Sequence, residues 1–410
     1  MQTEKDFAQK IFTDVREMSK SELGVTRLGY SEKETQVLKY LEKVGLGLGM
    51  NCSHDEAGNL WMTLEGKHPE WPFLMVASHA DSVPEGGNFD GLAGIVSGLC
   101  AAKAIKESGI QLDRNLNVVA FRCEEQGLIG SRAILGTLTP EDLNRRYRPE
   151  CKLLGESMQD CGINPQALVQ GKAYLNPKDV AAYFELHIEQ GPKLEQSSQA
   201  KVGLVTGIRG NVFHRAIRCL GETAHSGAID FEFRHDAVAA VAQLFAVMRA
   251  HWIERLKAGD DLVYTNGVVN TPPSQSFNVI SGEVTFSLDI RTLSVQTREY
   301  FYELFKKEAR KIEADFGVRF EFDQAFYIEP ALSDDHLINK LESSAAQENI
   351  PVIRMPSGAG HDAGDIAQEG IPMAMIFIAN QNGSHNHREA MRMEDFLSGV
   401  QILTRTLKDL

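Results

Sequence analysis

The chain has 410 residues, a hydrophobic fraction of 43%, a charged fraction of 24% and a formal net charge of −14. This length suits two domains, or one large domain with an insertion, and the composition is that of an ordinary globular protein. The acidic balance argues against nucleic-acid binding, which requires a basic face, and no apolar run is long enough for a transmembrane helix.

The start of the chain, Met1–Glu22, is charged and amphipathic and lacks the apolar core of a secretory signal. We therefore expect a cytoplasmic protein. The cysteines are scattered and form no CxxC pair, so we expect buried free thiols rather than a disulfide framework or a thiolate metal site. These cysteines are Cys52, Cys100, Cys123, Cys151, Cys161 and Cys219.

The first half of the chain alternates strand-like and helix-like segments. The apolar run Phe73–His79 predicts a buried strand, and apolar residues at helical spacing from Leu92 to Ile105 predict a helix. The runs Leu116–Cys123 and Ala181–Ile188 predict two further buried strands. Continuous apolar strands separated by helices indicate an α/β sheet that is covered on both faces.

The pattern changes after residue 206. The predicted elements are, in order, the strand Val212–Gly221, the helix Asp236–Lys257, the strands Leu262–Val269 and Glu283–Arg291, the helix Val295–Phe316 and the strand Val318–Phe322. The order βαββαβ is that of the ferredoxin-like plan. We predict that residues 207–324 form an inserted domain of this kind.

The first pattern returns after the insertion. A helix over Asp335–Asn349 precedes the buried strand Ile371–Ala379, and a C-terminal helix starts near Met393. The predicted architecture is therefore a discontinuous α/β domain formed by residues 1–206 and 325–410, interrupted by the inserted ferredoxin-like domain.

Residues of the types that bind metal ions stand at five places, mostly at the ends of predicted strands. They are His79 with Asp81, Asp90, Glu124 with Glu125, His187, and His385. Function in open α/β sheets gathers at the carboxyl ends of strands, so these places are expected to converge. Imidazole and carboxylate together suit zinc, with manganese, nickel or cobalt as substitutes. A bridging carboxylate allows two metal ions, and one further carboxylate can serve as a general base.

The adjacent glutamates Glu124 and Glu125 need a specific explanation, because neighbouring like charges repel. Adjacent residues on an extended strand point to opposite sides, so a pair that serves one centre needs the irregular turn that "EEQG" supplies. Each residue also has an ordinary alternative: a strand-end histidine packs or caps, Asp90 before a glycine caps a helix, and glutamates on a turn are solvated. Five such places together favour a site.

Five segments carry a family resemblance: "SHADSVPEGGNFDG", "CEEQG", "FELHIEQGPKLE", "SGAGHDA" and "NGSHN". Together they resemble the M20-type metallopeptidase superfamily. Within it they resemble the hydantoinase/carbamoylase branch, which holds N-carbamoyl-L-amino-acid hydrolases, allantoate amidohydrolases and β-ureidopropionases. The resemblance runs from Thr26 to the C-terminus, and "HIEQG" and "SGAGHDA" are specific to the branch.

The resemblance implies two divalent metal ions per chain, with zinc as the expected metal and manganese, nickel or cobalt as alternatives. The ligands implied for one ion are His79, Asp90 and His187, and those for the other are Asp90, Glu125 and His385, with Asp90 bridging. Glu124 matches the general base. Asp81 matches the carboxylate that orients His79, as carboxylates behind metal-binding histidines commonly do.

The resemblance also implies that the inserted domain serves as a lid and as a dimerisation domain. Arg291 matches an arginine that binds the substrate carboxylate, a role that suits a planar guanidinium, and Asn278 matches an asparagine that helps to bind the same group. His225 matches a histidine that meets the reacting carbonyl, in some relatives from the partner subunit. On their own, these three residues would be a strand-end, a turn and a loop residue. The other predicted substrate-binding residues are Asn211, Gln190 and Gly360.

The expected function is hydrolysis of a non-peptide C–N bond in a small substrate that bears a carboxylate, above all an N-carbamoyl-L-amino acid. The alternatives are an allantoate amidohydrolase, then an aminoacylase or dipeptidase, and finally a non-catalytic binding protein that keeps the fold. The segments "HSGAIDFEFRHD" and "EEQGLIGSRAILG", together with Asn211, depart from the usual family pattern and leave the substrate open. We expect a homodimer and neither a nucleic-acid nor a membrane partner.

Overall fold

The computed structural model describes residues 3–410, which divide into two compact units. The first unit runs up to Gly207 and resumes over Leu332–Leu410, and the second is Ile208–Ala331. The predicted insertion ended too early, at residue 324. The strand Phe326–Ile328 pairs with the long strand Gly210–Leu220 and so belongs to the second unit.

Residues 3–208 contain six strands and eight α-helices. The strands are β1 (Asn51–His54), β2 (Leu60–Leu64), β3 (Phe73–His79), β4 (Leu116–Phe121), β5 (Val180–Ile188) and β6 (Val202–Ile208). The helices are α1 (Glu4–Ser19), α2 (Glu32–Gly47), α3 (Leu92–Glu107), α4 (Ile129–Leu135), α5 (Pro140–Leu143), α6 (Leu154–Asp160), α7 (Pro165–Leu168) and α8 (Lys193–Gln196).

The second unit has eight strands and two long helices. The strands are β7 (Gly210–Leu220), β8 (Ala224–His225), β9 (Val263–Thr265), β10 (Val269–Asn270), β11 (Val279–Ile280), β12 (Glu283–Thr292), β13 (Arg319–Glu321) and β14 (Phe326–Ile328). The helices are α9 (Ala237–Lys257) and α10 (Val295–Phe316).

The remainder of the chain adds five strands and three helices. The strands are β15 (Ala331–Leu332), β16 (Val352–Ser357), β17 (Met373–Ile378), β18 (Asn380–Gln381) and β19 (Ala390–Met391). The helices are α11 (Asp335–Gln347), α12 (Asp362–Gln368) and α13 (Met393–Lys408).

The first unit is built on a nine-stranded sheet in the order β1-β2-β4-β3-β5-β17-β6-β15, with β16 paired to β6. The four neighbouring strands β4, β3, β5 and β17 are parallel. Every residue of β4 and of β17 is buried, as expected for strands covered on both faces. Because parallel strands end at the same edge of a sheet, the residues that follow these four strands are neighbours.

The second unit is a separate antiparallel sheet in the order β10-β12-β7-β13, with β14 paired to β7 and β9 to β12. The segment Leu262–Val269, predicted as one strand, instead contributes to two short strands, β9 and β10, which are separated by residues 266–268. Along β12 buried and half-buried residues alternate, and its buried side chains belong to the apolar core that α9 and α10 also line. The sheet therefore buries one face.

All six cysteines are free, three of them buried and three partly buried. Over residues 3–410, none of the helices is both long and apolar enough to span a membrane.

The buried carboxylate of Glu34 on α2 fixes the end of β4. It accepts hydrogen bonds from the backbone of Tyr30 and of Cys123, at 2.8 and 3.0 Å, and from Arg122 Nε at 2.7 Å. Cys123 has a left-handed backbone, with φ of 58°, and directly precedes the glutamate pair. Glu34 thus stabilises the irregular turn that the pair requires.

We expect Glu34→Ala to lower the free energy of unfolding by about 3–5 kcal/mol, because it leaves the buried guanidinium of Arg122 without its partner. Urea unfolding followed by circular dichroism measures the change. Glu32→Ala, an exposed position on the same helix, is the control and should change stability by less than about 0.5 kcal/mol. Equal effects of the two substitutions would contradict the role given to Glu34.

Candidate metal centre

The five predicted ligands meet at the carboxyl edge of the parallel strands. Two groups have donor atoms that all lie within 4.8 Å of one another. These groups are His79, Asp90 and His187, and Asp90, Glu125 and His385. His79 ends β3 and His187 lies near the end of β5, whereas Glu125 and His385 follow β4 and β17. The parallel sheet thus brings together residues that are far apart in sequence.

Asp90 stands between the two groups and faces each with a different oxygen. Its Oδ1 lies 3.4 Å from His79 Nε2 and 3.1 Å from His187 Nε2. Its Oδ2 lies 3.4 Å from His385 Nε2, which is in turn 3.3 Å from Glu125 Oε2. This is the arrangement expected of a carboxylate that bridges two cations.

The spacing of these donor atoms fits metal coordination. Ligand atoms at 2.0–2.1 Å from a tetrahedral zinc ion are about 3.3 Å apart, and the imidazole–carboxylate distances here are 3.1–3.4 Å. In addition, Glu125 Oε1 is buried without a hydrogen-bond partner among the described residues. A cation is the group that such an oxygen lacks, so the residues present fit two divalent ions.

Glu124 and Asp81 stand beside this cluster. Glu124 Oε2 is 3.9 Å from His79 Nε2, so its carboxylate borders the first group without belonging to it. Asp81 Oδ1 faces His79 Nδ1 at 3.3 Å and accepts the backbone N–H of Glu124 at 2.9 Å, while its Oδ2 accepts that of Glu125 at 3.2 Å. Asp81 therefore lies against the ring of His79, without forming a hydrogen bond to it, and fixes the backbone of both glutamates. Of these partners the sequence indicated only the histidine.

The electrostatics of the cluster reflect its excess of buried carboxylates. Burial raises the pKa of Glu124 well above its usual range, and burial together with the charge of Asp90 raises the pKa of Glu125 to about 7. Burial also opposes ionisation of Asp90, but contacts with three histidines outweigh it and hold the pKa of Asp90 well below its usual range. Divalent cations offset this kind of repulsion.

Asp90 does not cap a helix, which was the ordinary alternative to metal binding for this residue. Helix α3 has no side-chain cap, and Gly91 stands at its start with a left-handed φ of 66°. A Cβ on Gly91 would lie 2.4 Å from the imidazole of His79. The glycine therefore lets the chain turn sharply while the ring of His79 packs against the backbone beside Asp90.

A third group of possible ligands, Glu185, His187 and His361, lies behind the first. Glu185 already accepts hydrogen bonds from Ser78 Oγ, Tyr183 Oη and the backbone of Ala363. A carboxylate with three donors has little capacity left for a cation, so we assign Glu185 to the support of the strands rather than to metal binding.

Comparison with known proteins identifies the family. Residues 75–409 match the sequence profile of peptidase family M20/M25/M40. The chain belongs to this family. The match covers most of the chain and includes all five predicted ligands of the M20 centre, from His79 to His385.

Similarity to individual relatives indicates to which branch of the M20 family this chain belongs. The chain is 35% identical to the N-carbamoyl-L-amino acid amidohydrolase of Geobacillus stearothermophilus, over 94% of this chain and 93% of that protein. It is 32% identical to the allantoate amidohydrolase of Escherichia coli (strain K12), over 94% and 93%. A solved amidase of the hydantoinase/carbamoylase family from Burkholderia multivorans matches with a TM-score of 0.87 and 27% identity, over 98% of this chain and 97% of that one. The predicted branch is confirmed.

Within the second unit of this M20 chain, Asp289 joins two of the predicted substrate-binding residues. Its Oδ1 accepts a hydrogen bond from Asn211 Nδ2 at 3.0 Å, and its Oδ2 accepts one from Arg291 Nε at 2.6 Å. Asn211 and Arg291 are also cross-strand neighbours on β7 and β12. Asp289 thus orients the guanidinium, a role that its place on the same strand face as Arg291 made foreseeable.

His225 and Asn278 are brought together by the short pairing of β8 with β11. His225 lies opposite Val279, and the backbone N–H of Ser226 donates to the carbonyl of Asn278 at 3.0 Å. Both residues are exposed. Their contact with a substrate remains a prediction.

Gln190 and Gly360 were predicted to bind substrate and have different surroundings. Gln190 Nε2 donates to Asp90 Oδ2 at 2.9 Å, while Gln190 Oε1 is buried without a partner among residues 3–410. Gly360 directly precedes the buried His361, and a Cβ there would meet nothing within 4 Å. The substrate roles of both residues remain predictions.

Proposed function

We propose that this chain is a dinuclear metal-dependent amidohydrolase that hydrolyses the non-peptide C–N bond of an N-carbamoyl-L-amino acid. The observation that carries the proposal is the position of Asp90, whose two oxygens face two separate ligand groups next to the carboxylate of Glu124. The similarity to N-carbamoyl-L-amino-acid amidohydrolases from several organisms supports this substrate class.

In the proposed mechanism two divalent ions, with zinc as the expected metal, would be held by His79, Asp90 and His187 and by Asp90, Glu125 and His385. When bound, these ions would supply Lewis-acid chemistry. Glu124 accepts a proton from the attacking water and returns it to the leaving nitrogen. The burial that raises its pKa suits a group that must both take and release a proton. Asp81 keeps His79 and the backbone of the two glutamates in place. The products are the amino acid, carbon dioxide and ammonia.

The second unit would supply the groups that recognise the substrate. We propose that Arg291, oriented by Asp289, and Asn278 hold the α-carboxylate, and that His225 stabilises the developing oxyanion. The order of strands in the sheet of the second unit, and the βαββαβ order of its elements along the chain, support the proposal that this unit is a ferredoxin-like lid and dimerisation domain. A homodimer and a cytoplasmic location belong to the same proposal.

Allantoate is the second candidate substrate. It offers the same carboxylate and ureido groups, and an allantoate amidohydrolase is 32% identical to this chain. The segment after His225, which departs from the usual family pattern, forms a short 3₁₀-helix over Phe231–Phe233. A different substrate side chain is a simple reason for such a change, so the experiment must compare both substrates.

A substrate panel tests the proposed function. The purified protein is supplied with zinc, manganese, nickel or cobalt, and kcat/KM is measured for N-carbamoyl-L-amino acids, allantoate, N-acetyl amino acids and dipeptides. We expect the highest value for a carbamoyl amino acid and none for an alkylurea, the matched control that lacks the carboxylate. Turnover of allantoate alone would establish the second candidate, and turnover of dipeptides alone would reject both.

A further inference from the structure

Glu389 is a buried carboxylate outside the predicted ligand groups, in the loop that follows His385. Its Oε1 accepts the backbone N–H of Phe89 at 2.8 Å and that of Asp90 at 3.3 Å. Its Oε2 lies 2.7 Å from Ser384 Oγ. One side chain therefore ties the loop that carries Asp90 to the turn that carries His385, although the two are almost 300 residues apart in sequence.

Ser384 strengthens this connection. Its hydroxyl oxygen is also 2.5 Å from Asp90 Oδ2, so it stands between the carboxylates of Asp90 and Glu389. Ser384 directly precedes His385, whose Nε2 faces the same Asp90 oxygen at 3.4 Å. The contact between Ser384 and Glu389 thus helps to fix Asp90 Oδ2 relative to His385, together with Gln190 Nε2, which donates to the same oxygen at 2.9 Å.

The turn before His385 is strained and needs such support. Asn382, Gly383 and His385 all have left-handed backbones, with φ of 66°, 68° and 58°. The conformation costs glycine nothing and is uncommon for other residues, although asparagine and histidine adopt it more often than most, so surrounding contacts must hold Asn382 and His385 in place. Asn386 Nδ2 donates to the carbonyl of Ser384 at 3.0 Å, and Glu389 holds the Ser384 side chain.

The glycine-rich loop before Asp90 is shaped around the same carboxylate. A Cβ on Gly87 would lie 2.1 Å from Glu389 Cδ, so the carboxyl group occupies the space that a side chain at residue 87 would need. The glycine allows Glu389 to reach the backbone N–H groups of Phe89 and Asp90. Glycine at this position therefore serves the contact with Glu389.

We propose that Glu389 is a positioning residue that holds Asp90 and His385 in the geometry required to bind the second ion. This inference rests on the proposed pair of ions. Asp90 serves both ions, but the other two ligands of the first ion, His79 and His187, lie on strands β3 and β5, which the sheet holds in place. The first ion therefore depends less on Glu389. The second ion depends more, because His385 lies in the strained turn.

Zinc binding by Glu389→Ala and Glu389→Gln tests the proposal. Each protein is dialysed against buffered free zinc, and the bound zinc is measured by mass spectrometry. We expect two ions in the original protein, and in both variants one ion that is retained and a second whose dissociation constant rises about 10- to 100-fold. Glu389→Gln keeps the size of the side chain and provides the answer if Glu389→Ala does not fold.

The matched control is Asp55→Asn. Asp55 is 8% exposed, against 7% for Glu389, and likewise accepts two backbone N–H groups, from Ala57 and Asn59, within its own loop. The Asp55→Asn substitution should lower the melting temperature of the protein without changing its zinc binding. Wild-type zinc affinity in both Glu389 variants, or equal weakening by Asp55→Asn, would overturn the role of Glu389. Fewer than two ions in the original protein would overturn the ion pair and this role with it.

Discussion

Replacing Glu124 by glutamine is expected to lower kcat by about 10²- to 10⁴-fold, the usual contribution of a general base. Glutamine preserves the shape of the side chain but cannot accept the proton of the attacking water. The two ligand groups should still bind metal, because Glu124 belongs to neither of them. Its Oε2 lies 3.9 Å from His79 Nε2, at the border of the first group. Steady-state kinetics and metal analysis of the same preparation measure both effects.

The neighbouring residue provides the control for this prediction. Glu125→Gln changes the same chemical group one position along the chain, but Glu125 Oε2 lies 3.3 Å from His385 Nε2 within the second metal group. We therefore expect Glu125→Gln to weaken the binding of one ion, and Glu124→Gln to leave both ions bound. Retained turnover in Glu124→Gln, or loss of metal from it, would remove the general-base assignment.

The different roles of two adjacent glutamates follow from the backbone around them. Cys123 has a φ of 58° and Leu128 a φ of 59°, so the chain leaves β4 through a left-handed residue and turns before α4. The carbonyl of Glu124 accepts the backbone N–H groups of Gly127 and Leu128 and closes this turn. On an extended strand the two carboxylates would diverge, whereas here both face the metal groups.

The elements that carry the ligands could be predicted from the sequence because their signals are local. Continuous apolar runs fixed the ends of β3, β5 and β17 to within one or two residues, and the polar residues at those ends marked the site. The boundary of the insertion was less accurate, since β14 has only three residues and depends on its pairing with β7. Pairing with a distant strand leaves little trace in a local pattern.

The supporting residues could not be predicted, because their partners are distant in sequence. Nothing near Glu389 indicates that its carboxylate binds the backbone at Asp90, and nothing near Asp81 indicates the backbone of Glu125 as a partner. Such contacts arise only when separate strands place their loops at one edge of the sheet. The short helices between residues 129 and 168 were missed for a related reason, since four to seven residues are too few for a clear period.

Asp90→Asn is expected to weaken the binding of both metal ions, by at least about tenfold for each, and to abolish turnover with them. Asparagine has nearly the same shape but carries no charge, and each Asp90 oxygen faces a different ligand group. His385→Ala is the matched comparison, because His385 belongs only to the second group and its loss should release one ion. Zinc titrations of the two variants beside the original protein distinguish these cases. If Asp90→Asn lost only one ion, Asp90 would not bridge, and two independent metal sites would replace the shared centre.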